Sequence, residues 1–232
     1  MKLQLIAVLS VLLLVTQVNA KENLVLKNQK DKVSYVIGMD IGTNLKKQSI
    51  DVDPDILAKG IKDGFSGGKS LLSEQEVREI MAAFQKEMMA KQEELNKKLG
   101  EKNKKEGEGF LAENKKKEGV KTLPSGLQYK VIKAGTGKKP KLTDTVTTHY
   151  RGTLIDGTEF DSSYRRGQPA TFPINGVIPG WTEALQLMQE GAKWQLFVPS
   201  NLAYGERGAG RQIGPNATLI FEVELISIQE KK

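Results

Sequence analysis

Apolar residues along the chain follow two different rhythms, and the change between them falls near Gly119. In the first half they recur every three to four positions. Val33, Ile37, Ile41 and Leu45 share one face of a helix expected from Asp31 onward. Asp53-Pro54 predicts a second helix start, because Asp accepts from the free N–H groups of a first turn and Pro needs no donor there. Ile56, Leu57, Ile61 and Phe65 carry its apolar stripe until Gly67-Gly68 ends it. Ser73 with Glu76 three residues on is a capping-box pattern for a third helix, along which Ile80, Phe84, Met88, Leu95 and Leu99 keep helical spacing. Past Leu99 the stripe stops, and Lys, Glu and Asn dominate through Glu118. That tail has two readings. It is a solvated segment frayed at Gly100, Gly107 and Gly109, each about 1 kcal/mol worse than Ala in a helix, or it is a long rigid spacer.

After Gly119 the rhythm becomes alternating. Leu127 to Ile132, Thr145 to Gly152, Trp194 to Pro199 and Thr218 to Ile228 read as strands. Asp156-Gly157 is a hairpin signal after the second of them. One short helix is expected here, where Pro179-Gly180 precede Trp181, Ala184, Leu185 and Met188 on a single face. The expected fold is therefore α+β: an all-helical N-terminal part, a long connecting helix, and an antiparallel sheet wrapped on a short helix.

The first twenty residues have their own pattern. Lys2 precedes an almost wholly apolar run from Leu3 to Val15, and Val18-Asn19-Ala20 offers small side chains before Lys21. This is the pattern of a cleaved export signal. About thirteen apolar residues are too few to span a bilayer, which needs ~20. The expected segments are 1–20 signal, 21–72 helical dimerisation domain, 73–118 connecting helix and 119–232 sheet domain. Short helices with one stripe each have too little core to stand alone. Gly38 and Gly42 permit close backbone approach, and Met39, Met81, Met88 and Met89 add adaptable apolar surface. Homodimerisation through the N-terminal helices is favoured over a monomeric subdomain.

Composition removes whole classes of chemistry. The chain of 232 residues has no Cys and a single His, His149. A disulfide frame, a thiol nucleophile, an iron–sulfur cluster, Cys-ligated zinc and a multi-His metal site are all excluded. The net charge of +7 first suggests nucleic acid. The excess is spread over both halves, however, and Lys115-Lys116-Lys117 has no interleaved aromatics for bases to stack on. Gly68-Lys69-Ser70 resembles the tail of a phosphate loop, but Asp63 stands where that loop needs its first Gly. His149 alternates with Tyr150, so an inward Tyr150 puts His149 on the outer face.

What remains distinctive is aromatic. Tyr150, Phe160, Phe172, Trp181, Tyr204 and Phe221 all lie in the second half, several beside Gly or loops. They form either a plain aromatic core or an open apolar cup. Two Tyr hydroxyls and Asp161 are easier to satisfy at the rim of a cup.

Five segments occur in order: Tyr150-Arg-Gly-Thr-Leu, Gly157-Thr-Glu-Phe160-Asp161-Ser-Ser, Val177-Ile178-Pro-Gly-Trp181, Leu202-Ala-Tyr204-Gly205 and Ile213-Gly-Pro215-Asn-Ala-Thr-Leu-Ile-Phe221. Over about residues 121–230 the chain resembles the FKBP-type peptidyl-prolyl cis–trans isomerases. Its helical first half, with a signal, is similar to the macrophage infectivity potentiator (Mip) group of bacterial FKBPs. The resemblance implies an enzyme of exported or extracellular protein folding, in the periplasm, at the outer membrane or on the surface of a Gram-negative cell. It implies proline-containing polypeptides as substrates, competition by rapamycin-type macrolides, and neither cofactor nor metal. It assigns Tyr150, Phe160, Asp161, Tyr204 and Phe221 to catalysis, and Phe172, Val177, Ile178, Trp181 and Ile213 to substrate binding, with Trp181 as the floor. Many members carry an aromatic where this chain has Ala170, which implies a thinner wall. The Gly- and Arg-rich 206–212 loop is a second departure. A dimeric holdase-type chaperone or a surface-binding module is the alternative function.

Overall fold

The computed structural model describes residues 25–229, so the expected export signal lies outside the described residues. The chain divides into two compact units, residues 1–74 and 75–232. The first contains α1 (Gln29–Lys47) and α2 (Pro54–Ser66). Asn28 caps α1 by accepting from the Asp31 N–H, three residues before the expected start. Asp53 caps α2 by accepting from Asp55 and Ile56, and Gly67 ends it in the left-handed conformation that favours glycine. No residue of either helix is buried.

The second unit begins with α3 (Glu74–Asn114), one uninterrupted helix of 41 residues. The polar tail is thus helix and does not fray, because its glycines are contact points. Gly100 and Gly107 are buried, and Gly100 lies against Pro215 and Asn216 and Gly107 against Thr218. Phe110 meets Phe197 at 6.0 Å between ring centroids. Asn114, 1% exposed, closes the helix by donating to Gln128 Oε1, while Gln128 Nε2 donates to the Leu111 carbonyl. Periodicity could not reveal this docking, since a face that packs through missing side chains has no apolar stripe.

The rest is an antiparallel sheet ordered β1 (Val120–Thr122), β2 (Gln128–Lys133), β6 (Lys193–Val198), β7 (Leu219–Gln229), β3 (Thr145–Leu154) and β4 (Glu159–Ser162), with β5 (Ala170–Pro173) also pairing β3. Four strands were legible in the alternation. β1, β4 and β5, three or four residues each, are too short to show a period. On β3 the alternation runs from Val146 to Gly152 and on β7 from Leu219 to Leu225, beyond which a register shift breaks it. Val146, Thr148 and Tyr150 face inward opposite Val223 and Leu225, and Phe221 pairs with Gly152. Helix α4 (Pro179–Leu187) covers this face with Trp181, Ala184 and Leu185, and Met188 follows them into the core. Gly180 permits the approach: a Cβ there would stand 2.6 Å from Val198 Cγ1.

Candidate active site

Where β3, β4 and β5 pass the N-terminal end of α4, the core opens. Tyr150, Phe160, Asp161, Phe172, Gly176, Val177, Ile178, Trp181, Tyr204 and Phe221 line a cavity of about 380 Å³. Trp181, 4% exposed, is packed edge-to-face against three rings. The centroid distances are 5.2 Å to Tyr150, 5.3 Å to Phe221 and 6.0 Å to Phe172. Phe160 stands edge-on to Phe221 at 5.5 Å. This tilted geometry is the favoured one for aromatic quadrupoles and holds each ring by its neighbours. Gly152 supports the last pair from beneath, because a Cβ there would lie 2.6 Å from the Phe160 ring and 2.9 Å from that of Phe221.

Three polar side chains form a connected group at the cup. The Tyr150 hydroxyl donates to Asp161 and accepts from Arg166 Nη2 at 2.7 Å. Arg166 also pairs with Asp161, and the Ser162 N–H donates to the same carboxylate at 2.8 Å. Partial burial pushes the Asp161 carboxyl up, but hydrogen bonds from Tyr150 and Arg166, with the guanidinium charge, outweigh it and hold the group below its ordinary pKa. Burial, and then the bond to Asp161, raise the Tyr150 phenol. Burial also raises Tyr204, with the Asp161 charge adding to it. Behind the sheet, Ser163 Oγ accepts from the Tyr150 N–H at 2.7 Å and lies 3.0 Å from His149 Nδ1. His149 stacks on Tyr164, on the face away from the cup.

Nine of the ten residues assigned from sequence line this cavity. Ile213 does not. It is buried in the core and exchanges backbone hydrogen bonds with Ala209. Ala170 is likewise absent from the lining and packs on the core beside it. Gly176 was not foreseen: a glycine in a short 3-10 turn (Ile174–Gly176) carries no chemical signal in sequence. Arg166, already a candidate partner of Asp161 from the sequence, reaches both Asp161 and the Tyr150 hydroxyl from the turn ending at Gly167.

The site is thus an aromatic-lined cup with a half-exposed, ion-paired carboxylate among its lining groups. Comparison with known proteins identifies the kind. Residues 136–226 match the FKBP-type peptidyl-prolyl cis-trans isomerase family, and residues 30–131 match the domain amino terminal to FKBP-type peptidyl-prolyl isomerase. The chain is 53% identical over 231 residues to the outer membrane protein MIP of Legionella longbeachae, covering 99% of each. It is 52% identical to the peptidyl-prolyl cis-trans isomerase Mip of Coxiella burnetii, over 89% of this chain and 90% of that one. The crystal structure of FkpA from Escherichia coli superposes with a TM-score of 0.71 at 40% identity, covering 88% of this chain and 99% of that chain. The chain belongs to the FKBP-type peptidyl-prolyl isomerases, in the Mip-like group. It is an enzyme that isomerises Xaa–Pro bonds, exported to the periplasm or outer membrane of a Gram-negative cell.

Proposed function

We propose that the cup performs this isomerisation by sheltering the twisted Xaa–Pro amide, with its binding groups divided between an apolar floor and two free donors. Planar amide resonance sets a barrier of ~18–20 kcal/mol. At the twisted state resonance is lost, the carbonyl is less polar, and water stabilises it less. A dry aromatic cup therefore favours the twisted over the planar state, relative to solution. Trp181, Phe172, Val177 and Phe221 hold the pyrrolidine ring, and Phe160 closes the side wall.

The observation that carries the division of labour is which donors are already used. The Tyr150 hydroxyl is committed to Asp161. Among the described residues the Tyr204 hydroxyl and the Ile178 N–H donate to no protein group, and both residues line the cup. They are assigned to two substrate carbonyls. Asp161, kept ionised by Arg166, sets the field at the rim.

Acceleration of cis–trans exchange in an apolar-Xaa–Pro peptide by the purified protein is the test. Exchange at the uncatalysed rate removes the reading. Rapamycin-type macrolides are expected to compete for the cup. Residues 1–20 are assigned to a cleaved signal, and the exposed apolar residues of α1, α2 and the first half of α3 to a homodimer interface.

A further inference from the structure

We propose that Asn103, on α3, is a positioning residue for the isomerase site: it holds the base of the Gly205–Gly214 loop, and through it Tyr204. The contacts run in an unbroken chain. Asn103 Nδ2 donates to the Pro215 carbonyl at 2.8 Å, half-buried and 112 residues away in sequence. Its neighbours on the same helix face close around the same segment. A Cβ on Gly214 would stand 3.1 Å from Leu99 Cδ2 and 3.0 Å from Asn103 Nδ2, and one on Gly107 would meet Thr218. Asn216 Nδ2 reaches back to the Gly100 carbonyl at 3.5 Å.

From that anchored segment the chain of bonds continues to the cup. The Asn216 N–H donates to the Gly205 carbonyl at 2.8 Å, and Gly205 directly follows Tyr204. The intervening loop is pinched at its far end by the paired Ala209 and Ile213 backbone bonds. Asn216 itself has φ +55°, in the left-handed region that asparagine enters more readily than other residues with a Cβ, and it sits where the loop returns to α3. The Tyr204 ring is 41% exposed and its hydroxyl has no protein partner among the described residues. Its place is therefore set by its backbone, and that backbone is fastened to α3.

This rests on the assignment of Tyr204 to substrate binding, so the test separates the two. Asn103→Asp keeps the side chain's size but replaces the donor with an oxygen facing the Pro215 carbonyl; Asn103→Ala removes it. Both are made in the full mature chain. Amide exchange at Asn216, Ala209 and Ile213 is expected to quicken about tenfold, while Val223 in the sheet core is unaltered, as global destabilisation would not permit. KM for an Xaa–Pro peptide is expected to rise roughly fivefold with kcat little changed, as loss of one positioned hydrogen bond predicts. Lys105→Ala, on an exposed site of the same helix, is the control and should alter neither. Unchanged exchange at the three amides, or quickened exchange with unaltered KM, overturns the proposal. Failure of the Tyr204 assignment shows separately, as full activity in Tyr204→Phe.

Discussion

Gly107 of α3 lies so close to Thr218 that a Cβ at position 107 would stand 2.3 Å from Thr218 Oγ1 and 3.1 Å from its Cβ. Two rules then oppose each other at one residue. Helix propensity favours Ala over Gly by about 1 kcal/mol, whereas a methyl group forced into a closed seam costs typically 1–3 kcal/mol. Two glycines within one turn of α3 give opposite expectations. Gly107→Ala should lower the unfolding midpoint of the 75–232 unit, while Gly109→Ala, with nothing within 4 Å, should raise it slightly. Denaturation of the two variants side by side measures the sign. A stabilised Gly107→Ala would mean that α3 does not dock where its glycines place it.

Gly152 offers a parallel test inside the cup. Its absent Cβ makes room for Phe160 and Phe221. Gly152→Ala is expected to displace the Phe160 wall and reduce kcat/KM for an Xaa–Pro peptide about tenfold or more, since small misplacements in a site are costly. Phe160→Ala should fall in the same direction. Tyr204→Phe, removing one free donor, is expected to lose roughly three- to tenfold, the worth of about 1 kcal/mol. A Gly152→Ala variant with full activity would show that the wall is not needed.

The sheet half and its site were largely legible in the sequence, for physical reasons that differ by residue. Val146, Thr148 and Tyr150 alternate because one face of β3 is buried, so a period of two was visible. Asp53 and Gly67 bound α2 through local chemistry, and local chemistry is readable. The C-terminal half of α3 was not. Its burial is by Gly100 and Gly107 against residues more than a hundred positions away, and a glycine signals equally a break or a contact. The Ile213 side chain is 9% exposed, packs in the core cluster and is not among the residues lining the cup.

Asp161 makes acid sensitivity a test of the rim. Its carboxyl is held below the ordinary value of 3.8 by Tyr150 and Arg166, against a contrary push from burial. A depressed folded-state pKa contributes stability that is full above the unfolded value and is lost as pH falls through the folded one. Wild-type protein should therefore exceed Asp161→Asn in stability at neutral pH. The half-exposed ion pair limits the difference to no more than about 1 kcal/mol. It should shrink as the solution is acidified below 3.8 and vanish once the carboxylate is protonated. Urea titrations of both proteins across that range measure it. A gap that widens on acidification would place the charge in the wrong state.

The helical half makes the last demand on experiment. In a single copy of the chain Phe65 is 92% exposed, Ile56 70%, Val36 64% and Ile37 55%, and along the first half of α3 Met89 is 64% and Met81 57% exposed. Such a density of apolar side chains in water is the mark of an unmet interface. We expect the mature chain to sediment as two copies, and Ile37→Glu to shift it towards one by placing a charge in that surface. Because the cup is complete within the 75–232 unit, kcat/KM on a short Xaa–Pro peptide should be the same in both states. Acceleration of refolding of a whole proline-limited protein is the readout that would separate a dimeric clamp from a tethered isomerase, falling in Ile37→Glu if two copies share one client. A wild-type chain that sediments as a monomer at high concentration would leave those apolar faces to another partner and end the dimer reading.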